Sequence, residues 1–145
     1  MWLVHQASVR VHCASHYAPA HLASWFHDRG PDIYRPAIDA GHVWLAESAG
    51  HLLGFAAAAP GEVTLLFVNP VHAGRGVGQR LLAQAMTAAS VGHDGPLAVT
   101  ATLNSVAFYQ RHGFVTVGDD AFVRGQDQLH YPLKRMLRAS SANRR

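Results

Sequence analysis

This sequence is short of the features that would support it from outside its own core. A single cysteine, Cys13, rules out an internal disulfide. Stability must therefore come from packing, and a reducing compartment, the cytoplasm, is expected. No apolar run approaches the roughly 20 residues that a membrane helix needs. Met1 to Arg10 carries no basic stretch followed by a long apolar core, so neither export nor membrane association is expected. Charge is scarce as well: Asp, Glu, Lys and Arg make up 14% of the chain. Of the 12 basic residues, five (Lys134, Arg135, Arg138, Arg144, Arg145) crowd into the last twelve positions, leaving seven against nine acidic ones in the body. The formal net charge of +3 thus sits at the end, and the slightly acidic body argues against a nucleic-acid groove.

What is present suffices for one ordinary domain. A chain of 145 residues with 49% hydrophobic content can bury about two thirds of the surface that its unfolded form exposes. Residues 1–137 are expected to form that domain, with a frayed Ser- and Arg-rich tail from 138 to 145. Cys13 is expected to be a small buried apolar residue. Eleven histidines invite a metal reading, most of all His12-Cys13 with His16, but no third ligand is fixed by spacing and no metal is expected.

Periodicity predicts a first strand near Val9 to His12. A helix then opens at Ala18-Pro19, carries Leu22, Trp25 and Phe26, and ends at Arg29 with Gly30 as its C′ residue. A short helix from Asp32 to Ala40 closes at Gly41. His42 to Ser48 and His51 to Ala59 read as strands joined by the Ala49-Gly50 turn, and Pro60-Gly61 leads into a third strand, Glu62 to Val68. From Val77 the spacing turns helical, with Leu81, Leu82, Ala85, Met86 and Ala89 on one face, until Gly92 and Asp94-Gly95-Pro96 stop it. Leu97 to Ala101, Phe114 to Val117 and Leu129 to Met136 are further strands, and Asn104 to His112 a short helix ended by Gly113. This order implies a mixed α+β fold, with antiparallel hairpins, one parallel crossover and helices on both faces of the sheet.

The densest signal lies at the junction of the third strand with the long helix, Val68-Asn69-Pro70-Val71-His72-Ala73-Gly74-Arg75-Gly76-Val77-Gly78-Gln79. Glycines at alternate positions remove Cβ atoms where backbone amides would approach a ligand, and the helix behind them offers unpaired N–H groups and a positive dipole end. That is an anion cradle, and a phosphate ester suits it. A dinucleotide fingerprint fails on spacing, because the sixth position is Gln79 counted from Gly74 and Leu81 counted from Gly76. A P-loop fails because no Lys-Ser or Lys-Thr follows the glycines. A flexible glycine linker is the bland alternative.

These residues resemble a family. Val68-x-Pro70 followed by Gly74-x-Gly76-Val77-Gly78-x-x-Leu81-Leu82 is similar to the acyl-coenzyme A pyrophosphate loop of the GNAT N-acetyltransferases, whose pattern is Gln/Arg-x-x-Gly-x-Gly/Ala. Ala73 stands at the first position of that pattern, a departure, while Gly76 and Gly78 match. A second likeness, Asn104 through Phe108-Tyr109 to Gly113-Phe114, is similar to the family's later motif and follows at the right distance. Many members carry Asn seven residues before the Tyr, where this chain has Thr102; Asn104 matches another form. A weaker likeness reaches back to His16-Tyr17-Ala18-Pro19, Leu22 and Trp25.

The resemblance implies a GNAT-like, mostly antiparallel sheet and an acetyl-CoA-dependent N-acetyltransferase acting on a small amine, or less readily on a protein amine. A GNAT-like domain that binds acyl-CoA as a sensor without turnover is the alternative, and a homodimer is left open. On this reading Leu66, Phe67 and Val68 hold the pantetheine arm and thioester carbonyl through free backbone groups. Ala73, Gly74, Arg75, Gly76, Val77, Gly78 and Gln79 cradle the pyrophosphate, and Asn104 and Phe108 complete the cofactor contacts. Tyr109 is the candidate general acid, since a phenol of pKa about 10 suits a departing thiolate. Glu62, opening the strand that leads to the loop, is the candidate base acting through water. His16, Tyr17 and His27 are candidates for the acceptor pocket, whereas Trp25, Phe26 and Trp44 read as core or pocket wall.

Overall fold

A computed structural model describes residues 1–140. It opens on helix α1 (Trp2–His12), not on the strand expected near Val9 to His12. The alternation Val9-Arg10-Val11-His12 mimics a strand, but Val4, His5, Ser8 and Val9 recur at helical spacing and are the residues that α1 buries. Burial on one stripe outweighs the weak helix propensity of two valines. Helix α2 (Pro19–Ser24) starts at the predicted proline yet stops well before Gly30. Asp28 takes the left-handed turn at φ 56°, and Gly30 is extended at φ −148°, so it is no C′ residue. Trp25 leaves the helix to sit in the core, at 6% exposure. A 3-10 turn (Pro31–Tyr34) and helix α3 (Arg35–Asp39) follow, closed by Gly41 at φ 72°.

Three strands then form the expected meander: β1 (Val43–Ser48), β2 (His51–Ala59) and β3 (Glu62–Val68). Ala49 and Gly50 both have positive φ, the geometry of a tight two-residue hairpin whose twist suits the flanking strands. Helix α4 (Val77–Ala89) crosses to β4 (Leu97–Thr102), helix α5 (Val106–Arg111) follows, and β5 (Val115–Arg124) and β6 (Leu129–Arg138) close the sheet. Strand β5 runs well past the expected Val117. Arg138, assigned from sequence to the tail, ends β6, where its Nε donates to the His112 carbonyl at 3.0 Å. The remainder of the expected tail, 141–145, lies outside the described residues.

The six strands are ordered β1-β2-β3-β4-β6-β5, antiparallel except for the parallel β3–β4 contact. Alternate residues send side chains to opposite faces. Ala56, Ala58, Val63, Val99 and Met136 meet Leu81, Leu82, Ala85 and Ala89 of α4 on one face. On the other, Phe55 and Phe67 meet Val4 of α1 and Tyr34, while Trp25 and Tyr131 form a second cluster with Val9 and Cys13. Helices therefore cover both faces, as the sequence implied. Among the described residues no helix is long and apolar enough to cross a membrane.

Candidate active site

Two irregularities of β3 create the site. Ala57 pairs with Leu65 but Ala58 with Val63, which leaves Thr64 as an extra residue, a bulge that bends the strand. On its other side β3 pairs with β4 only at Glu62↔Ala98 and Val63↔Val99. Beyond those two pairs the strands part. The Asn69 amide donates to the Leu53 carbonyl at 2.7 Å, and Phe55 and Gly54 face Phe67 and Val68 across the ladder. By the alternation of antiparallel pairs, Phe67 then bonds to β2, and the backbone groups of Leu66 and Val68 point into the gap. The gap holds about 50 Å³ and is lined by Val63 to Phe67, Val99 to Thr102, Ser105 and Tyr109.

Next to the gap, sharing Leu66, Phe67, Thr102, Ser105 and Tyr109 with it, lies a cleft of about 500 Å³ between α1, α4 and α5. At its mouth Gly74 and Gly76 both adopt φ 78°, and a Cβ at either would meet nothing within 4 Å. Their need for glycine is therefore conformational rather than steric. Gly76 is the N-cap of α4 and supplies no side-chain cap, so the first-turn amides remain free for a ligand. Gly78 differs: it lies in the helix, and a Cβ there would make ordinary 3.5 Å contact with Phe108 and Val68.

Tyr109 lines both the cleft and the gap, at 5% exposure. Among the described residues nothing hydrogen-bonds its hydroxyl, and burial raises its pKa above the usual phenol value. It stays a protonated donor at neutral pH. Asn104 keeps a buried Oδ1 without a partner on the same wall. Leu66, Phe67, Val68, Ala73, Gly74, Gly76, Val77, Gly78, Gln79, Asn104, Phe108 and Tyr109 thus meet in one cleft, as the sequence reading grouped them. Two do not: Arg75 is exposed and outside the lining, and Glu62 sits at the closed end of the gap, its Oε1 held by the Arg135 guanidinium at 2.9 Å.

Sequence reasoning missed the third wall. Ser8, His12 and Cys13 of α1, with Thr102 and Ser105 opposite and Arg111 and His112 at the end of α5, also line the cleft. Burial pushes the Cys13 thiol up to about 12, partly offset by its hydrogen bond with Thr102, so it is a packing thiol and not a nucleophile. Tyr17 is no open pocket residue. Its hydroxyl donates to the Pro132 carbonyl at 2.6 Å and accepts from the Leu103 amide at 3.0 Å, bracing the loop before α2 against β6 and the end of β4. His16 pairs with Ser15, and His27 lies beside Asp28, both on the exposed surface. Among the described residues no three His, Cys, Asp or Glu side chains gather into a metal site.

A splayed parallel pair feeding a glycine cradle is an arrangement for a long ligand with a phosphate part-way along it. The family model of the acetyltransferase (GNAT) domain matches residues 13–135. The chain belongs to the GNAT family. It is accordingly an acetyl-CoA-dependent acetyltransferase. Among curated proteins it is similar to the uncharacterized N-acetyltransferase YafP of Escherichia coli K12, 26% identical over 110 residues, covering 76% of this chain and 69% of that protein. Among solved structures it resembles a GCN5-related N-acetyltransferase from Rhodopseudomonas palustris, with a TM-score of 0.83, 22% identity and coverage of 94% and 86% of the two chains. It also resembles the PaiA N-acetyltransferase of Thermoplasma acidophilum, in complex with coenzyme A, with a TM-score of 0.69, 16% identity and coverage of 94% and 89%.

The residues of this GNAT chain fit the coenzyme on their own terms. The cradle is uncapped, the edge of β3 beyond Val63 has free backbone groups, and no carboxylate lines the cleft.

Proposed function

We propose that this acetyltransferase moves the acetyl group of acetyl-CoA to a primary amine of a small molecule by direct attack in a ternary complex. The observation that carries the reading is that the cleft lined by the glycine cradle and the gap beside β3 adjoin, sharing Leu66, Phe67, Thr102, Ser105 and Tyr109 as walls. Acetyl-CoA supplies an activated thioester. The chain's part is to hold its phosphates on the amides of Gly74 to Gln79 and to aim its carbonyl at the β3 edge, where preorganised N–H donors favour developing negative charge. Tyr109, kept neutral by burial, donates its proton to the sulfur as the thiolate leaves.

An alkylammonium acceptor must first lose a proton. Glu62 takes it through water. Residue 62 is four positions from Leu66, roughly 13 Å along a strand, and the gap between β3 and β4 reaches Val63, with room for a short water file.

The test is thiol release against a panel of amines, with wild type and Tyr109→Phe. Acceptor-dependent release by wild type is expected. The variant should lose about 100-fold or more in kcat while binding acetyl-CoA as before. An unchanged kcat would remove Tyr109 from the acid role; tight coenzyme binding with no release for any amine would make the domain a coenzyme sensor.

A further inference from the structure

The cleft is one-sided in charge. It is lined by no Asp or Glu, and by three basic side chains, His12 from α1 and Arg111 and His112 from the end of α5. Arg111 is exposed and, among the described residues, has no ion-pair partner; the three pairs found are His27–Asp28, Lys134–Asp119 and Arg135–Glu62. The α5 wall is fixed close to the cradle. The His112 ring packs tilted against Phe108, centroids 4.8 Å apart, and Phe108 in turn lies 3.5 Å from where a Cβ on Gly78 would stand. The His112 carbonyl is also tied to Arg138. Across the cleft the glycine loop and the start of α4 bring Ala73, Gly74, Gly76, Val77, Gly78 and Gln79, none of them charged. Ala73, where the family pattern has Gln or Arg, is among the lining residues, and Arg75 is exposed and not among them.

We infer that Arg111, with His112 beside it, supplies from the α5 wall the side-chain grip on a coenzyme phosphate that position 73 does not provide. This rests on the acetyl-CoA reading. A guanidinium satisfies two phosphate oxygens at once, which an alanine on the loop cannot do. The helix C-terminus behind it also favours a cation there.

Calorimetric titration of coenzyme A tests this on wild type, Arg111→Gln, Arg111→Lys and Arg80→Gln, the last an exposed arginine of α4 outside the cleft. Arg111→Gln is expected to weaken binding about 10- to 100-fold, the usual worth of a hydrogen bond to a charged group. Arg111→Lys should recover part of it, and in Arg111→Gln, where the charge is gone, the dependence of affinity on salt should become shallower. Repeating the titration with 3′-dephospho-coenzyme A identifies the phosphate: a loss that persists assigns Arg111 to the pyrophosphate, and one that disappears assigns it to the 3′-phosphate. Affinity within threefold of wild type for Arg111→Gln, or an equal loss for Arg80→Gln, overturns the inference. If wild type itself does not bind coenzyme A, the coenzyme reading has failed instead.

Discussion

Replacing Gly76 with Val separates folding from binding. The site has open space, since a Cβ there meets no atom within 4 Å, so no clash is created. The cost is conformational: a β-branched residue at φ 78° gives up about 1–2 kcal/mol. Spread over a domain of this size, that lowers Tm by only a few degrees. The chain can relieve the strain by rotating residue 76 out of the left-handed region, which turns the peptide planes of the first turn of α4 away from the cleft. Losing two hydrogen bonds to a charged phosphate at about 1.5–3 kcal/mol each weakens coenzyme A binding roughly 10²- to 10⁴-fold. Thermal unfolding and calorimetric titration on one preparation read both numbers. Gly76→Ala should fall between, because alanine adopts a positive φ less reluctantly than valine. A folded Gly76→Val protein that binds coenzyme A within threefold of wild type would refute the cradle argument.

Three further outcomes follow from the geometry. Glu62→Gln should lower kcat while leaving coenzyme affinity unchanged, and an unaltered kcat moves the base elsewhere. Gly54→Ala puts a Cβ 2.7 Å from the Phe67 carbonyl and 3.0 Å from Leu81 Cδ1, so a stability loss of about 1–3 kcal/mol is expected from denaturant unfolding; a neutral result would mean that β2 and β3 shift apart easily. His5 is buried between Phe67 and Tyr34, accepts or shares a proton with the Tyr34 hydroxyl at 2.7 Å, and has its pKa lowered by burial from 6.5 to about 4. The unfolded chain therefore binds this proton first, and the stability contributed by neutral His5 is lost as pH falls from about 6.5 to about 4, by at most about 3 kcal/mol. Denaturation midpoints across that window should fall with acid in wild type and less so in His5→Leu.

The parts of this fold that were legible in the sequence are those where a turn residue and a change of period coincide. Ala49-Gly50 and Pro60-Gly61 bracket β2 and fix β3 at Glu62, and the switch to helical spacing at Val77 falls where the glycines end. The cleft's two walls came from contiguous motifs around Gly76 and Tyr109. The third wall did not, because Ser8, His12 and Cys13 reach the site only through the docking of α1 on Phe55 and Phe67, a tertiary event with no local signature. The same holds for Tyr17, whose partners Leu103 and Pro132 are far along the chain. Helix α1 was hidden by an accidental alternation, and the bulge at Thr64 has no mark in an otherwise regular apolar run.

The two-rung contact between β3 and β4 has a mechanical meaning as well. The sheet is two plates, β1-β2-β3 and β4-β6-β5, each internally well laddered and joined along a seam with most of its rungs missing. A ligand whose amides bond to Leu66 and Val68 lies in that seam as a surrogate strand. Occupancy would then be a way of finishing the sheet along the edge that β3 leaves open beyond Val63.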